Sequence, residues 1–400
     1  MEHPENDAQY KGLRVETSPM SPGSVNPYVN FRARRQRTEF SVDQYVEGIL
    51  RGDVTMLSRA VTLLESTRPE HEHLAQQVIA RCLPHAGNSV RIGISGVPGA
   101  GKSTSIDEFG LHVLGRTGGK LAVLAIDPTS ERTGGSILGD KTRMEKLSVH
   151  PDSFIRPSPS GGSLGGVARK TRETIILCEA AGYNTIFVET VGVGQSETAC
   201  HSMVDFFLVL QVAGTGDELQ GIKRGIMEMA DGIALNKCDG DNVERCKLAA
   251  AYYKNALHLF PTPPSGWTTR VHMYSGLLGT GVKELWDSIY EYVDFVKNNG
   301  YFEQRRNNQN LYWLRETIDQ AIRSRFYNNQ RVIAAMEKAE EDVLIYAAPP
   351  HRSFDSSAKA SPLMRQPALM HEKKQRLRLC FFNRGSPRRP SCPFSGRRPA

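Results

Sequence analysis

The stretch Gly96-Val97-Pro98-Gly99-Ala100-Gly101-Lys102-Ser103 decides the fold of this chain. It matches the pattern G-x-x-x-x-G-K-[ST], in which the backbone N–H groups of a glycine-rich turn point at phosphate oxygens. The apolar run Ile92–Ser95 precedes it and the helical pattern Lys102–Arg116 follows it, as a phosphate-binding loop requires. We expect Lys102 to contact the β- and γ-phosphates, Ser103 to bind Mg²⁺, and Thr104 to contact the α-phosphate.

Further short apolar runs predict strands that are covered on both faces of a sheet. They lie at Leu121–Asp127, Thr185–Thr190, Phe206–Val212, Gly232–Asn236 and Val271–Ser275. Helical patterns separate them, at Val167–Ala181, Gly221–Met229, Asn242–Leu257 and Val282–Val296. Strands that alternate with helices indicate an α/β fold with a doubly wound, mostly parallel sheet.

The same patterns divide the chain into five predicted segments. These are a flexible leader (1–38), an N-terminal helical extension (39–88), a phosphate-loop domain (89–298), a C-terminal helical arm (299–346) and a basic tail (347–400). The helical extension begins after Ser41, a plausible N-cap. The arm carries an apolar stripe formed by Leu311, Leu314, Ile318 and Ile322. The tail is rich in Pro, Ser and Arg and lacks periodicity, which predicts disorder.

Charge is distributed unevenly along the 400 residues, whose net charge is +7. The last 50 residues hold 12 of the 50 Lys/Arg and only 2 of the 43 Asp/Glu, so the remaining body is mildly acidic. This distribution argues against a nucleic-acid partner. No run reaches the roughly 18 apolar residues of a membrane span. The seven cysteines include no C-x-x-C pair, and we expect reduced thiols in a cytoplasmic protein without a membrane partner.

A phosphate-loop enzyme also needs a carboxylate at a strand end to orient its magnesium ion. Three residues are candidates, with solvated loop charges as the alternative: Asp127, Asp140 and Glu189. Glu189 opens the segment Glu189-Thr190-Val191-Gly192, which has the spacing of the D-x-x-G loop that senses the γ-phosphate, and Gly192 can offer an unhindered N–H there. Arg143 is a candidate internal arginine finger or a surface arginine, and Gln195 a candidate for orienting the attacking water.

The base-reading signal is Asn236-Lys237-Cys238-Asp239, which follows an apolar strand and matches N-K-x-D. The carboxylate of Asp239 can accept hydrogen bonds from N1–H and the 2-amino group of guanine, a donor pair that adenine lacks. Downstream, Ser275-Gly276-Leu277 forms a predicted turn after a strand, and one of its backbone N–H groups can bind guanine O6. The phosphate loop and this motif together predict a GTP-binding enzyme that hydrolyses GTP.

Several longer segments are similar to one family. These are GVPGAGKST (96–104), DPTSERTGGSILGDKTRM (127–144), FVETVGVGQSE (187–197), GDELQGIKRGIMEMAD (216–231) and NKCDGDN (236–242). They resemble the MeaB/ArgK GTPases, SIMIBI-type P-loop NTPases that accompany adenosylcobalamin-dependent methylmalonyl-CoA mutase. The resemblance covers about residues 40–345.

The resemblance implies a metal cluster of Ser103, Asp127, Asp140 and Glu189, and a further mobile switch with Asp217 and Lys223 as its working residues. It implies a GTP-hydrolysing chaperone that gates cobalamin loading and protects or reactivates the mutase. It also implies a homodimer formed through the C-terminal helices. The tail at 347–400 departs from the family pattern, and a frameshift is our hypothesis for it, so the dimer contact is in question.

Two other functions remain open. A nickel-inserting GTPase would need His or Cys ligands, but the one local group is His71-Glu72-His73, and residues two apart on a helix do not face each other. A P-loop kinase linked to amino-acid transport would need an adenine site, against which N-K-x-D argues.

Overall fold

The computed structural model describes residues 40–66, 68–126, 144–157, 164–190, 196–213 and 224–344. The predicted leader (1–38) and tail (347–400) lie outside these ranges. The chain divides into two compact units. The first comprises the residues up to Asn88 together with Glu173–Tyr183, and the second comprises Ser89–Arg172 and the chain from Asn184 onwards. Within the described ranges, no helix combines the length and apolarity that crossing a membrane requires.

Three helices lie in the described part of the first unit before Asn88: α1 (Val42–Leu50), α2 (Val54–Glu65) and α3 (Pro69–Cys82). A capping box confirms Ser41 as the N-cap of α1, because the Gln44 N–H donates to Ser41 Oγ (3.3 Å) and the Ser41 N–H donates to Gln44 Oε1 (2.9 Å). Asp53 caps α2 by accepting hydrogen bonds from two N–H groups of its first turn. These caps set where the helices begin, and the apolar faces then pack against each other.

The second unit contains a seven-stranded sheet among the described residues. Its strands are β1 (Val90–Gly96), β2 (Lys120–Ile126), β3 (Ser153–Arg156), β4 (Tyr183–Thr190), β5 (Phe206–Val212), β6 (Gly232–Asn236) and β7 (Arg270–Met273). Their order in the sheet is β3-β2-β4-β1-β5-β6-β7. The pairs β2–β3, β4–β1, β1–β5, β5–β6 and β6–β7 are parallel. The α/β prediction with a mostly parallel sheet is therefore confirmed.

Helices connect these strands: α4 (Lys102–Thr117), α5 (Glu145–Ser148), α6 (Leu164–Ala180), α7 (Ser196–His201), α8 (Arg224–Met229), α9 (Val243–Leu257) and α10 (Val282–Asn298). The main core lies where α4 and α10 cover the sheet, and its apolar side chains include Ile94, Phe187, Leu208, Trp286 and Tyr292. Strand β1 is central in the sheet. The loop that follows it therefore opens at the middle of the carboxyl edge, where ligands bind in open α/β sheets.

Two helices, α11 (Tyr301–Tyr327) and α12 (Gln330–Leu344), lie within the bounds predicted for the arm (299–346). The first turns of α11 are fastened to the ends of loops that enter β5 and β6. Arg306 forms a bidentate ion pair with Asp205 through its Nε (2.8 Å) and Nη2 (2.7 Å). Arg305 Nη1 lies 2.9 Å from a carboxylate oxygen of Asp231. Further along α11, the Trp313 indole N–H donates to the carbonyl of Ser202 (3.1 Å).

The face of α11 that packs on the unit is therefore polar and aromatic. The predicted apolar stripe lies elsewhere on the helix and is exposed, with relative accessibilities of 54, 50, 46 and 44% for Leu311, Leu314, Ile318 and Ile322. Four aliphatic side chains at helical spacing thus have no cover within the described part of the chain.

Candidate functional site

The loop between β1 and α4 is narrow because two of its glycines leave no room for a side chain. A Cβ on Gly96 would lie 2.3 Å from the carbonyl oxygen of Leu210. A Cβ on Gly101 would lie 2.7 Å from Nδ2 of Asn236, and Gly101 also has φ +80°. Both positions therefore require glycine. Because neither residue has a side chain, the backbone of the loop can lie close to its neighbours and leave its N–H groups accessible to a ligand.

The first turn of α4 follows this loop, and no side chain caps its N-terminus. Its N–H groups carry the positive end of the helix dipole, which attracts an anionic ligand. Ser103 is partly buried in this turn and Thr104 is exposed. The backbone therefore forms a phosphate cradle with the Ser103 hydroxyl at its side.

Lys102 is the first residue of α4, and its ammonium group folds back over the loop. Nζ donates to the carbonyl of Gly96 (2.9 Å) and to that of Val97 (3.3 Å). Burial lowers the pKa of Lys102, while the carboxylates of Glu189 and Glu197 act in the opposite direction. Two acidic side chains therefore lie close enough to Lys102 to favour its charged form.

Glu189 lies near the end of β4, in register with Ile94 of β1. Its side chain is buried. The next residue, Thr190, donates from Oγ1 to Ser95 Oγ (3.0 Å) and joins the ends of the two strands beside the phosphate cradle. A carboxylate and the Ser103 hydroxyl supply oxygen donors, which are the ligands that Mg²⁺ prefers, so this donor set fits the metal.

Asn236, the last residue of β6, joins the N-K-x-D segment to the phosphate loop. Its Nδ2 donates to the carbonyl of Ala100 (2.7 Å), and its Oδ1 accepts from the N–H groups of Lys237 (2.7 Å) and Gly276 (2.9 Å). Lys237 has φ +62° and is, among the described residues, the one non-glycine with positive φ. This left-handed residue turns the chain sharply, and such strain is common at binding sites.

The side chain of Asp239 is held by the turn that begins at Ser275. Ser275 Oγ donates to Asp239 Oδ2, and the same Oγ accepts from the Leu278 N–H (3.1 Å). Ser275 N–H donates to the carbonyl of Thr280 (2.9 Å), so that N–H is engaged within the turn. The Gly276 N–H is engaged by Asn236, which leaves Leu277 as the remaining N–H donor of the predicted turn.

Three buried residues close to the phosphate loop or the base-reading segment were not singled out from the sequence: Ser105, Tyr274 and Glu197. Ser105 lies in α4, one residue after Thr104, and its Oγ is 2.8 Å from the hydroxyl of Tyr274. Glu197 lies in α7 and is buried. Their sequence signal is weak because none belongs to a loop motif, although Glu197 lies within the quoted segment 187–197.

The structure thus brings the phosphate loop, Glu189, the N-K-x-D segment and the turn at 275–277 to one edge of the sheet. Seven further predicted site residues lie outside the described ranges: Asp127, Asp140, Arg143, Gly192, Gln195, Asp217 and Lys223. Asp127 follows directly on β2, which neighbours β4 in the sheet. His71 and His73 contact different partners, Ser66 (2.8 Å) and Gln77 (2.9 Å).

A phosphate loop joined to an N-K-x-D segment at the carboxyl edge of a parallel sheet defines a P-loop GTPase. Comparison with known proteins agrees. Residues 57–331 match the family described as "Methylmalonyl Co-A mutase-associated GTPase MeaB". The chain belongs to this family, and it is a GTPase.

Similar proteins include GTPase ArgK of Escherichia coli, 44% identical over 292 residues that cover 73% of this chain and 88% of ArgK. A "Probable GTPase" of Mycobacterium tuberculosis is 47% identical over 303 residues, covering 76% of this chain and 90% of that protein. The mouse protein named "Methylmalonic aciduria type A homolog, mitochondrial" is 41% identical over 329 residues, covering 80% and 79%.

A solved structure with the same fold is titled "Crystal structure of LAO/AO transport system kinase". It has a TM-score of 0.63 and 34% identity, and it covers 80% of this chain and 96% of its own.

Proposed function

We propose that this GTPase is a chaperone of an adenosylcobalamin-dependent acyl-CoA mutase, in the first place methylmalonyl-CoA mutase. In this role it gates loading of the cofactor and protects or reactivates the mutase through binding and hydrolysis of GTP. The observation that carries the proposal is the family match over residues 57–331, since that family is described as mutase-associated. The chaperone role, the particular client and a cytoplasmic location remain predictions.

The geometry of the site supports two binding halves, one for the phosphates and one for the guanine base. The phosphate half would hold the β- and γ-phosphates through the N–H groups of residues 96–104 and the ammonium of Lys102, which already lies over the loop. The base half would accept the guanine N1–H and 2-amino group at Asp239 and donate to O6 from the turn at 275–277. Lys237 would cover the base, and Asn236 holds the two halves together.

Magnesium would be held by Ser103 and Glu189, with Asp127 and Asp140 as further proposed ligands. When bound, the ion would neutralise charge on the phosphate oxygens. Lys102 would add a fixed positive charge beside the transferred phosphoryl group, where preorganised electrostatic stabilisation has its largest effect. Gly192, Arg143 and Gln195 stay candidates for contacting the γ-phosphate, stabilising its charge and orienting the attacking water. Asp217 and Lys223 stay candidates for coupling to the client.

The test is hydrolysis of GTP and ATP by the purified chain, with and without methylmalonyl-CoA mutase and its cobalamin cofactor. We expect slow GTP turnover that rises when the mutase is added, and no turnover of ATP. The Lys102→Ala variant is the control, because it separates turnover by this site from contaminating phosphatases. GTP turnover that the mutase leaves unchanged would contradict the client, and phosphoryl transfer from ATP would favour the kinase alternative.

We further propose that the chain forms a homodimer through the exposed stripe on α11. Leu311, Leu314, Ile318 and Ile322 present a continuous aliphatic row that solvent would otherwise hydrate. The Leu314→Glu variant should elute as a monomer in size-exclusion chromatography with light scattering. Leu248→Glu, at an equally aliphatic exposed position on α9, should leave the mass unchanged. A monomeric wild type would refute the proposal.

A further inference from the structure

A buried polar junction connects the two halves of the nucleotide site behind the ligand-binding surface. It consists of Ser105 on α4, Tyr274 directly after β7, and Asn236 at the end of β6. Ser105 Oγ lies 2.8 Å from Tyr274 Oη and 3.3 Å from Asn236 Nδ2. Both Ser105 and Tyr274 are at most 1% exposed, so water does not compete for these bonds.

The directions of the hydrogen bonds follow from counting protons. Ser105 has one hydroxyl hydrogen, and it is donated to the carbonyl of Gly101 at 2.8 Å, one helical turn back. Tyr274 must then donate its own hydrogen to Ser105 Oγ, which also accepts from the amide of Asn236. Burial raises the pKa of Tyr274 above its ordinary value, so the phenol keeps the hydrogen that it donates.

The residues of this junction are adjacent in the chain to residues that bind the two ends of a nucleotide. Gly101 is the N-cap of α4, and Ser105 is the fourth residue of that helix. Tyr274 directly precedes Ser275, which holds the carboxylate of Asp239. The Tyr274 hydroxyl therefore connects the loop that binds phosphate with the turn that orients the base-reading aspartate, in addition to the direct bonds of Asn236 to Ala100 and Gly276.

We propose that Tyr274, acting through Ser105, is a positioning residue that sets the spacing between the phosphate cradle and the base-reading turn. The inference rests on the proposed nucleotide site and adds a residue that makes no contact with the ligand itself. A nucleotide spans both halves and needs the correct spacing. Pyrophosphate occupies only the phosphate half and does not need it.

The experiment compares the Kd of GDP with the Kd of pyrophosphate by isothermal titration calorimetry. The variant is Tyr274→Phe, which keeps the ring packed on Phe109 at 5.2 Å between centroids and removes only the hydroxyl. We expect the Kd of GDP to rise about fivefold, as for one buried neutral hydrogen bond, while that of pyrophosphate stays unchanged. Ser105→Ala should raise the Kd of GDP similarly, and the double variant should add little to it, because both changes break the same bond.

Tyr292→Phe is the matched control. Tyr292 is also fully buried, and its hydroxyl accepts from Arg305 (2.9 Å). Arg305 also pairs with Asp231, the residue before β6, so this bond lies at the amino end of that strand, whereas Asn236 of the junction lies at its carboxyl end. The control should leave the Kd of GDP unchanged even if it lowers the melting temperature. This separates a loss of spacing from a general loss of stability.

An unchanged Kd of GDP in Tyr274→Phe, or an equal rise for GDP and pyrophosphate, would overturn the inference. Failure of the proposed site has a different signature, since wild-type protein would then bind GDP and ADP equally. Even in that case the ratio between nucleotide and pyrophosphate affinities decides whether Tyr274 sets the spacing.

Discussion

Asp239→Asn offers the sharpest test of how the base is read. The substitution replaces one carboxylate oxygen by an amide NH₂ of nearly the same size. Ser275 determines which one, because its Oγ accepts from the Leu278 N–H and uses its single hydrogen to donate to Asp239. In the variant this hydrogen keeps the amide oxygen on the side of Ser275. The NH₂ group therefore faces the base.

The expected magnitude follows from the lost bonds. Guanine presents two donors to Asp239, and a hydrogen bond to a charged acceptor contributes about 1.5–3 kcal/mol. The amide oxygen that remains still accepts from N1–H, so one of the two bonds is lost, which weakens GTP binding by about 1.5–3 kcal/mol, roughly a 10–10²-fold rise in Kd. Xanthine carries a carbonyl where guanine carries the 2-amino group, so it accepts from the new NH₂ group. Preference should therefore move from GTP to XTP.

The assay measures the Kd of GTP, XTP and ATP for wild type and Asp239→Asn by competition against a fluorescent nucleotide. Ser275→Ala in the Asp239→Asn background is the companion variant, since it frees the amide to rotate and should reduce the preference for XTP. If Asp239→Asn still prefers GTP to XTP, Asp239 does not read the base. If removing Ser275 leaves the preference for XTP unchanged, the orientation argument is wrong.

Three further predictions concern stability, pH and turnover. Arg306→Met leaves the buried carboxylate of Asp205 without its bidentate partner, so it should lower the free energy of unfolding by about 3–5 kcal/mol in urea titrations. The control, Arg116→Met, removes an exposed ion pair and should lower it by less than about 1 kcal/mol. Equal effects of the two variants would contradict this prediction. Burial lowers the pKa of His201 from 6.5 to about 4, so the unfolded chain binds a proton that the folded chain does not, and stability should fall as pH drops from about 6.5 to 4. His201→Phe should flatten that part of the stability–pH curve, and a curve that matches wild type would exclude His201 as its source. Lys102→Ala should lower GTP turnover by at least about 10²-fold in a phosphate-release assay, and near-normal turnover would remove Lys102 from the mechanism.

The sequence predicted most strands because central parallel strands are continuous apolar runs. Strand β3 (Ser153–Arg156) was missed for the opposite reason. It is a four-residue edge strand in which Phe154 alone is buried, so it has neither an apolar run nor alternation. The helix at 301–327 was predicted, but its buried face was not. That face uses Arg305, Arg306 and Trp313, whose partners belong to loops about 75–110 residues earlier in the chain.

The sequence by itself determined the class of this protein, because phosphate and guanine recognition need particular residue types at short, local spacings. G-x-x-x-x-G-K-S and N-K-x-D are such local patterns, and each contains most of the chemistry of its half of the site. Only the tertiary structure decided how the halves are joined. Asn236 meets Ala100, and Tyr274 meets Ser105, across sequence separations of 136 and 169 residues. Contacts of that range depend on the order of strands in the sheet, which no local pattern records.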